Sequence, residues 1–414
     1  MATSTSYSDQ TLYGNLNVTG AITSFLNQVP TDPYGELVVT QRTSVIDIKS
    51  VFGLSNLRDA VTTTGTGSVT GTLGQPEFVI STGTGTTDSA KMQSTERGRY
   101  IAGFGAQQGM AIRIPSVFTG NQSVRWGYSD LANGFLWLYT STGMAVSYIR
   151  NNVETITTQS NWNVDKLDGT GPSGLILDVA RGNIWRINFS WYGYGAVIWS
   201  VVLTSNTGSQ VVQTVHKYAP TGQTSVLTPN QPIIVSLANG GTGSAQTVYL
   251  AGRQFSLYSH TYSPSYRITS GYIASAAISG TSTKFVPLMT FQRKANTAGV
   301  GTKIASFDVI TSGTVILEIR VAGTLTGASY GNLPDTPSGE SLLQFDTSAT
   351  AITGGIVIYT ALISVNTSTS ASTFNSDSID FVISDYQPIT YCVFGVGGTN
   401  NITVSAVARL REEW

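Results

Sequence analysis

The sequence predicts an all-β protein: two β-sandwiches behind a short N-terminal arm. Three observations carry this. Nearly every apolar cluster is short, β-branched or aromatic, and is closed within a few residues by Gly, Asn, Asp, Ser or Pro. Charged residues are 11% of the 414, against a usual quarter or so, while Gly, Ser and Thr abound, which is the composition of many strands and turns. Helical patterning is confined to a turn or two at "SNLRDAV" (Ser55 to Val61), where a polar residue precedes mixed faces. The length exceeds that of one typical domain, so two domains and an arm are expected.

The arm covers residues 1–35. In "LYGNLNVTGAITSFL", Leu12, Leu16, Val18 and Ile22 alternate with small polar residues around Gly14 and Gly20. Strands this thin bury too little to stand alone, so these four residues are expected to dock the arm on a larger body. Pro30, Pro33 and Gly35 in "QVPTDPYG" mark the boundary.

Residues 36–260 form the first sandwich. "LVVTQRTSVIDIKSVFG" and "EFVIST" are strands, and the Thr/Gly-rich "VTTTGTGSVTGTLG" between them reads as hairpin loops. From Arg99 to Tyr258 a turn signal recurs every eight to twelve residues or so, the spacing of a β-sandwich of lectin-like type. Within it, Ile187, Phe189, Trp191 and Gly193 alternate with Arg186, Asn188 and Ser190, as one buried and one solvated sheet face require.

A punctuated stretch from His260 to Lys284 opens the last part, residues 261–414. There Val315, Leu317, Ile319 and Val321 alternate with Glu318 and Arg320, and Ile402, Val404, Ala406, Ala408 and Leu410 alternate with Thr403, Ser405 and Arg409. About eight strands are expected, the count of a jelly roll. Open edges of such sheets need cover, and a homotrimer would supply it.

Several function classes are excluded or weakened by residue type. A formal net charge of -1 and a pI near 6.1 do not suit a binder of phosphate backbones, so no nucleic-acid partner is expected. Cys392 is the one cysteine; it cannot form an intramolecular disulfide and reads as a small buried hydrophobe. The start "MATSTSYSDQ" lacks the basic and apolar regions of a signal peptide, and no run of 18 apolar residues occurs. Synthesis in a cytosol without membrane insertion is the expectation.

"GASYG" (Gly327 to Gly331) matches a serine-hydrolase elbow by letters, but "NLPDTPSGE" after it is a loop where the elbow needs a helix. His216 and His260, the two histidines, lie far apart and do not make a zinc pattern. Asp165, Asp168 and Asp178 supply acids for a glycosidase pair by number alone.

"NWNVDKLDGTGPSG" (Asn161 to Gly174) places Asn161, Asn163 and Asp165 like the first calcium ligands of an EF-hand. Lys166 then stands where the glycine belongs and Pro172 where the bidentate Glu belongs. Asp165 and Asp168 remain as a calcium candidate of other geometry, and no cofactor is expected. Among many aromatics that suit a core, Trp126, Tyr128 and Trp162 are the candidates for stacking on a sugar ring, together with Asp165 and Asp168 for its hydroxyls.

The strings "RGRYIAGFGAQQGMAIRIPSVF", "QSVRWGYSD", "NWNVDKLDGTGPSG", "FSWYGYGAVIWSVVL" and "VHKYAPTGQTSVLTPNQPI" resemble a family of virion proteins of tailed phages, notably cyanophages, and of large DNA viruses. "LYGNLNVTGAITS" is similar to short units of phage fibre proteins. The resemblance implies a structural protein of the virion: a tail fibre, baseplate appendage or capsid spike, generally trimeric; other virion proteins, and a host surface glycan for the lectin-like sandwich, are the partners expected. It implies no catalytic residue. A capsid decoration or cement protein shares these features; a glycan-active enzyme with a lectin-like domain is the other alternative, which needs a cleft with paired carboxylates and is disfavoured by the missing signal peptide.

Overall fold

The computed structural model describes residues 42–101, 103–190, 194–204, 210–222, 228–241, 243–258, 266–279, 284–294, 302–333, 341–364, 372–375, 387–397 and 401–413. The arm with Leu12, Leu16, Val18 and Ile22 lies outside the described residues, as do Trp191, Gly193 and His260. The chain is all-β. Among the described residues the helical element is the three-residue turn Gln159–Asn161.

The first part contains β1 (Arg42–Lys49), β2 (Asp59–Thr64), β3 (Ser68–Thr70), β4 (Phe78–Thr82), β5 (Ser89–Arg97), β6 (Gly105–Arg113), β7 (Ser123–Ser129) and β8 (Gly134–Thr140). It continues with β9 (Gly143–Arg150), β10 (Val153–Thr158), β11 (Asn183–Ser190), β12 (Val197–Thr204), β13 (Gln210–Tyr218), β14 (Pro232–Ala238) and β15 (Gln246–Tyr258). An eight-stranded antiparallel sheet runs β13-β12-β11-β6-β15-β4-β3, with β1 also paired to β15. A seven-stranded sheet, β10-β9-β8-β7-β14-β5-β2, faces it.

Alternation decides which side chains fill the space between the sheets. On β11, Trp185, Ile187 and Phe189 are buried, while Arg186 and Asn188 on the other face are half-buried. On β7, Val124, Trp126 and Tyr128 point inward by the same period of two. Trp126 and Trp137 both meet Trp185 edge to face, with ring centroids 5.0 and 4.9 Å apart. Such geometry adds about 0.5–1.5 kcal/mol per pair beyond the area buried.

A buried ion pair crosses this core. The Arg253 guanidinium of β15 pairs with the Asp59 carboxylate of β2, both fully buried, tying one sheet to the other. Asp59 also accepts a hydrogen bond from the Ser55 amide at 3.1 Å. The helix expected at Ser55 to Val61 is therefore a single turn, with Asp59 N donating to Ser55 O at 2.7 Å before β2 begins. Its β-branched continuation, "VTTT", is better placed on β5 than in a helix.

The second part holds β16 (Tyr266–Ser279), β17 (Val286–Arg293), β18 (Thr302–Thr311), β19 (Val315–Val321), β20 (Thr324–Thr326) and β21 (Gly331–Asn332). After these come β22 (Leu343–Asp346), β23 (Ala351–Thr353), β24 (Ile356–Ile363), β25 (Ser372–Asn375), β26 (Ile389–Gly395) and β27 (Asn401–Glu413). A six-stranded sheet, β21-β22-β17-β26-β19-β24, and a four-stranded sheet, β16-β27-β18-β25, enclose a second core in jelly-roll-like fashion. Short strands such as β20, β21 and β23, too brief to show alternation, raise the number above the eight or so expected.

Val315, Leu317, Ile319 and Val321, and then Ile402, Val404, Ala406, Ala408 and Leu410, all face this core. Cys392 is buried beside Glu318, and burial pushes its thiol up to about 12. "GASYG" is the loop between β20 and β21, where the Ser329 amide donates to Asp346 at 2.7 Å.

Candidate functional site

The structure withdraws the aromatic candidates. Trp126, Tyr128 and Trp162 are 0%, 1% and 3% exposed, so none presents a ring face on which a sugar could stack. Tyr128 stacks on Phe255 at 5.0 Å and its hydroxyl donates to Pro229 O at 3.0 Å. Trp162 packs edge-on against Trp137 and its indole N–H donates to Thr157 O at 3.3 Å. The polar neighbours of Trp126 and Trp162 in sequence lie on the opposite face or in the turn, which is why adjacency misleads here.

The loop Asn161 to Gly174 is a stitched support. The Asn163 side chain brackets Lys217 on β13, donating from Nδ2 to its carbonyl at 2.8 Å and accepting from its amide at 2.9 Å. Asp165, 1% exposed, accepts from Leu167 N at 2.9 Å and from Ser173 N at 2.8 Å, one bond to each oxygen. A Cβ on Gly171 would stand 2.2 Å from Asp165 Oδ1, so glycine is the residue that lets the loop close on this carboxylate.

Asp168 is exposed and turns its Oδ1 to the hydroxyl and amide of Thr170, at 2.6 and 2.9 Å. Those bonds, the hydroxyl's first, hold its carboxyl below the ordinary value of 3.8. The expectation is corrected for Asp165, which gives both oxygens to the loop's own backbone and so has none free to pair with Asp168 on a glycan or a calcium ion. Among the described residues no group of three or more His, Cys, Asp or Glu side chains is placed to hold a metal. His216 is buried, 6% exposed.

A different place has the geometry of a site. The outward face of the eight-stranded sheet carries an open cleft of about 470 Å³, within the range of about 300–1,000 Å³ that small-molecule sites occupy. Strand register builds it. Ser200 (β12), Arg186 (β11), Gly109 (β6), Gln254 (β15) and Asp47 (β1) follow one another across the sheet as paired positions. The next row brings Val212, Val202, Ile184 and Ala111 side by side, of which Val212 and Ile184 are 52% and 42% exposed. Gly109 leaves the floor low, since a Cβ there would stand 2.7 Å from Gln254 Nε2.

At the other side of the cleft a polar network sets the wall. Gln107 Nε2 donates to Asn188 Oδ1 at 2.8 Å and to the Tyr258 hydroxyl at 2.9 Å. Arg42, paired with Tyr258 in the ladder, lies 5.7 Å over its ring. Burial pushes the Arg186 guanidinium down from its ordinary value; the Tyr258 hydroxyl opposes this and the neighbouring Arg42 adds to it. An arginine keeps its proton through such shifts. Arg186 Nε is shielded from solvent and has no hydrogen-bond partner among the described residues.

This cleft escaped sequence reasoning because its residues come from strands far apart in the chain. The available signal was the outward placement of Arg186 between Ile187 and Trp185. What joins it to Arg42 and Gln254 is strand order, which periodicity does not specify.

Two facing antiparallel sheets, with a cleft on the larger, define the first part as a β-sandwich and the chain as an all-β protein with a second two-sheet part. No family model and no curated protein matches the chain. Solved structures similar to it include an endo-beta-1,4-glucuronan lyase from the fungus Trichoderma reesei, at 12% identity and a TM-score of 0.34, covering 51% of this chain and 95% of that one. A legume lectin-like domain from Entamoeba histolytica matches at 14% identity and a TM-score of 0.30, covering 51% and 98%. A putative beta-glucanase from Mycobacterium abscessus matches at 11% identity and 0.34, covering 51% and 100%. At these identities and scores neither a ligand nor an activity follows.

Proposed function

We propose that the chain is a structural protein of a virus particle, a homotrimeric tail fibre, baseplate appendage or spike, whose first sandwich binds a saccharide of the host surface in the outer cleft without covalent chemistry. The cleft on the eight-stranded sheet is the observation that carries the binding role. It sets exposed aliphatic side chains, Ile184 and Val212, beside the guanidinium of Arg186 and the amide of Gln254. A pyranose ring offers the matching alternation of C–H faces and hydroxyls. Asp47 is the one carboxylate among the described lining residues, and it lies 3.5 Å from Lys49. Hydrolysis of a glycosidic bond ordinarily asks for two acids across the bond, so binding fits these residues better than turnover. The virion role rests on the resemblance of the quoted strings.

The test combines native mass spectrometry of the full chain with a glycan array and an assay for product on each bound glycan. A trimer that binds at least one saccharide and releases no product is expected, and antibody labelling of intact virions should place it on tail or capsid. A monomer at micromolar concentration that binds nothing on the array would sink the reading. Release of reducing ends or of unsaturated sugar would replace it with the enzyme.

A further inference from the structure

We propose that the saccharide held in this cleft is acidic, its carboxylate received by Arg186 and Arg42. This rests on the saccharide-binding reading above and adds the chemical class of the ligand.

Charge is the first ground. Arg42, Lys49, Arg186 and Arg253 line the cleft with Asp47, four cations to one anion among the described residues, in a chain whose formal net charge is -1. Of these, Arg253 is consumed by Asp59 in the core. Asp47 lies near Lys49, which leaves Arg186, hydrogen-bonded to the Tyr258 hydroxyl, and Arg42, over the Tyr258 ring, with no carboxylate between them among the described residues. Two like charges placed together disfavour each other until an anion arrives.

Donor geometry is the second ground. Guanidinium groups present a planar fork that matches a carboxylate with two parallel hydrogen bonds. Arg186 Nε is shielded from solvent and has no hydrogen-bond partner among the described residues, a state that is costly for a polar atom and that a ligand carboxylate would relieve. The fork lies next to the low floor at Gly109, where a ring substituent has room, and next to Ile184 and Val212, where the ring's C–H face can rest. A nucleic-acid backbone is a poor alternative, since it takes many phosphate contacts and the cleft offers few cations.

The sugar carboxylate could belong to a uronic acid or to a sialic acid, and the probes separate the two. Calorimetric titration of the full chain would use an oligogalacturonate, its methyl ester, sialyllactose, lactose and a sulfated galactose oligosaccharide. At least one carboxylate probe should bind, its neutral counterpart about tenfold or more weaker, as expected for loss of charge-assisted hydrogen bonds. Arg186→Gln should weaken the acidic probe by about ten- to hundredfold at unchanged thermal midpoint, and Arg186→Lys, which keeps charge but not the fork, should restore only part. Gly109→Leu should abolish binding of every probe.

Equal binding of acid and ester, or acid binding untouched in Arg186→Gln, would overturn the acidic ligand while leaving the saccharide reading standing. Equal or tighter binding of the sulfated probe would overturn the carboxylate in favour of a general anion. Neutral and acidic glycans all failing to bind would overturn both.

Discussion

A buried arginine is unfavourable unless an acid meets it, and Arg253 shows what that costs and returns. Burial pushes its guanidinium down to about 9, with Arg58 nearby adding to the effect, so it remains protonated at neutral pH. Asp59 is its anion, and the remaining Arg253 Nε and Nη1 find no partner among the described residues. Removing the acid alone therefore leaves a charge in the core. Asp59→Asn should lower unfolding free energy by about 3–5 kcal/mol, measured by denaturant titration. The double variant Asp59→Leu/Arg253→Met, which removes both charges, should lie well above the single one. Equal loss in both would mean that the pair matters for shape and not for charge. Neither partner was legible as such in sequence: Asp59 sat in a presumed helical turn and Arg253 in a strand, 194 residues apart.

At the scale of elements, the loop after β10 depends on a histidine in its neutral form. Asn163 N donates to His216 Nδ1 at 3.4 Å, a bond that needs the ring's lone pair, and burial pushes the His216 pKa below its ordinary 6.5. A base whose folded pKa is depressed binds fewer protons folded than unfolded, so its contribution is complete above pH 6.5 and is lost as pH falls below that value. Amide exchange at Asn163 should accelerate below about pH 6 relative to that of core strands, and His216→Asn should remove the pH step. A pH-independent ratio would refute the link. Strand faces themselves were legible: the alternation of Ile187 and Phe189 with Arg186, and of Leu317 with Glu318, is what the sheets show. The same alternation in "SVRWGYS" assigns Trp126 and Tyr128 to the inside. They were misjudged by giving weight to neighbours in sequence when the face decides. Loop closure around Asp165 was not legible, because its partners Leu167 and Ser173 are backbone amides that any residue supplies.

For the whole molecule, the described residues form two large hydrophobic cores, one built from residues 46–257 and one from residues 274–410, and a small third cluster of Leu136, Ile149 and Ile234. Leu57, in the turn before β2, is the residue of the first part that packs, half-buried, against the second core. The turn is held from behind by Thr95, whose amide donates to Arg58 O at 3.0 Å and whose hydroxyl donates to Leu57 O at 2.5 Å, and Gln387 of the second part donates to Asn56 O. The contact these described residues make couples the two cores weakly, since one half-buried leucine contributes about 1 kcal/mol. Calorimetry should then resolve two transitions, not one. Leu57→Ala should lower the earlier of them by about 2–4 °C, the shift that 1 kcal/mol makes in a body of this size, and leave the later one in place. One cooperative transition, or a shift of both by the same amount, would show that the two parts unfold as a single unit held by more than this turn.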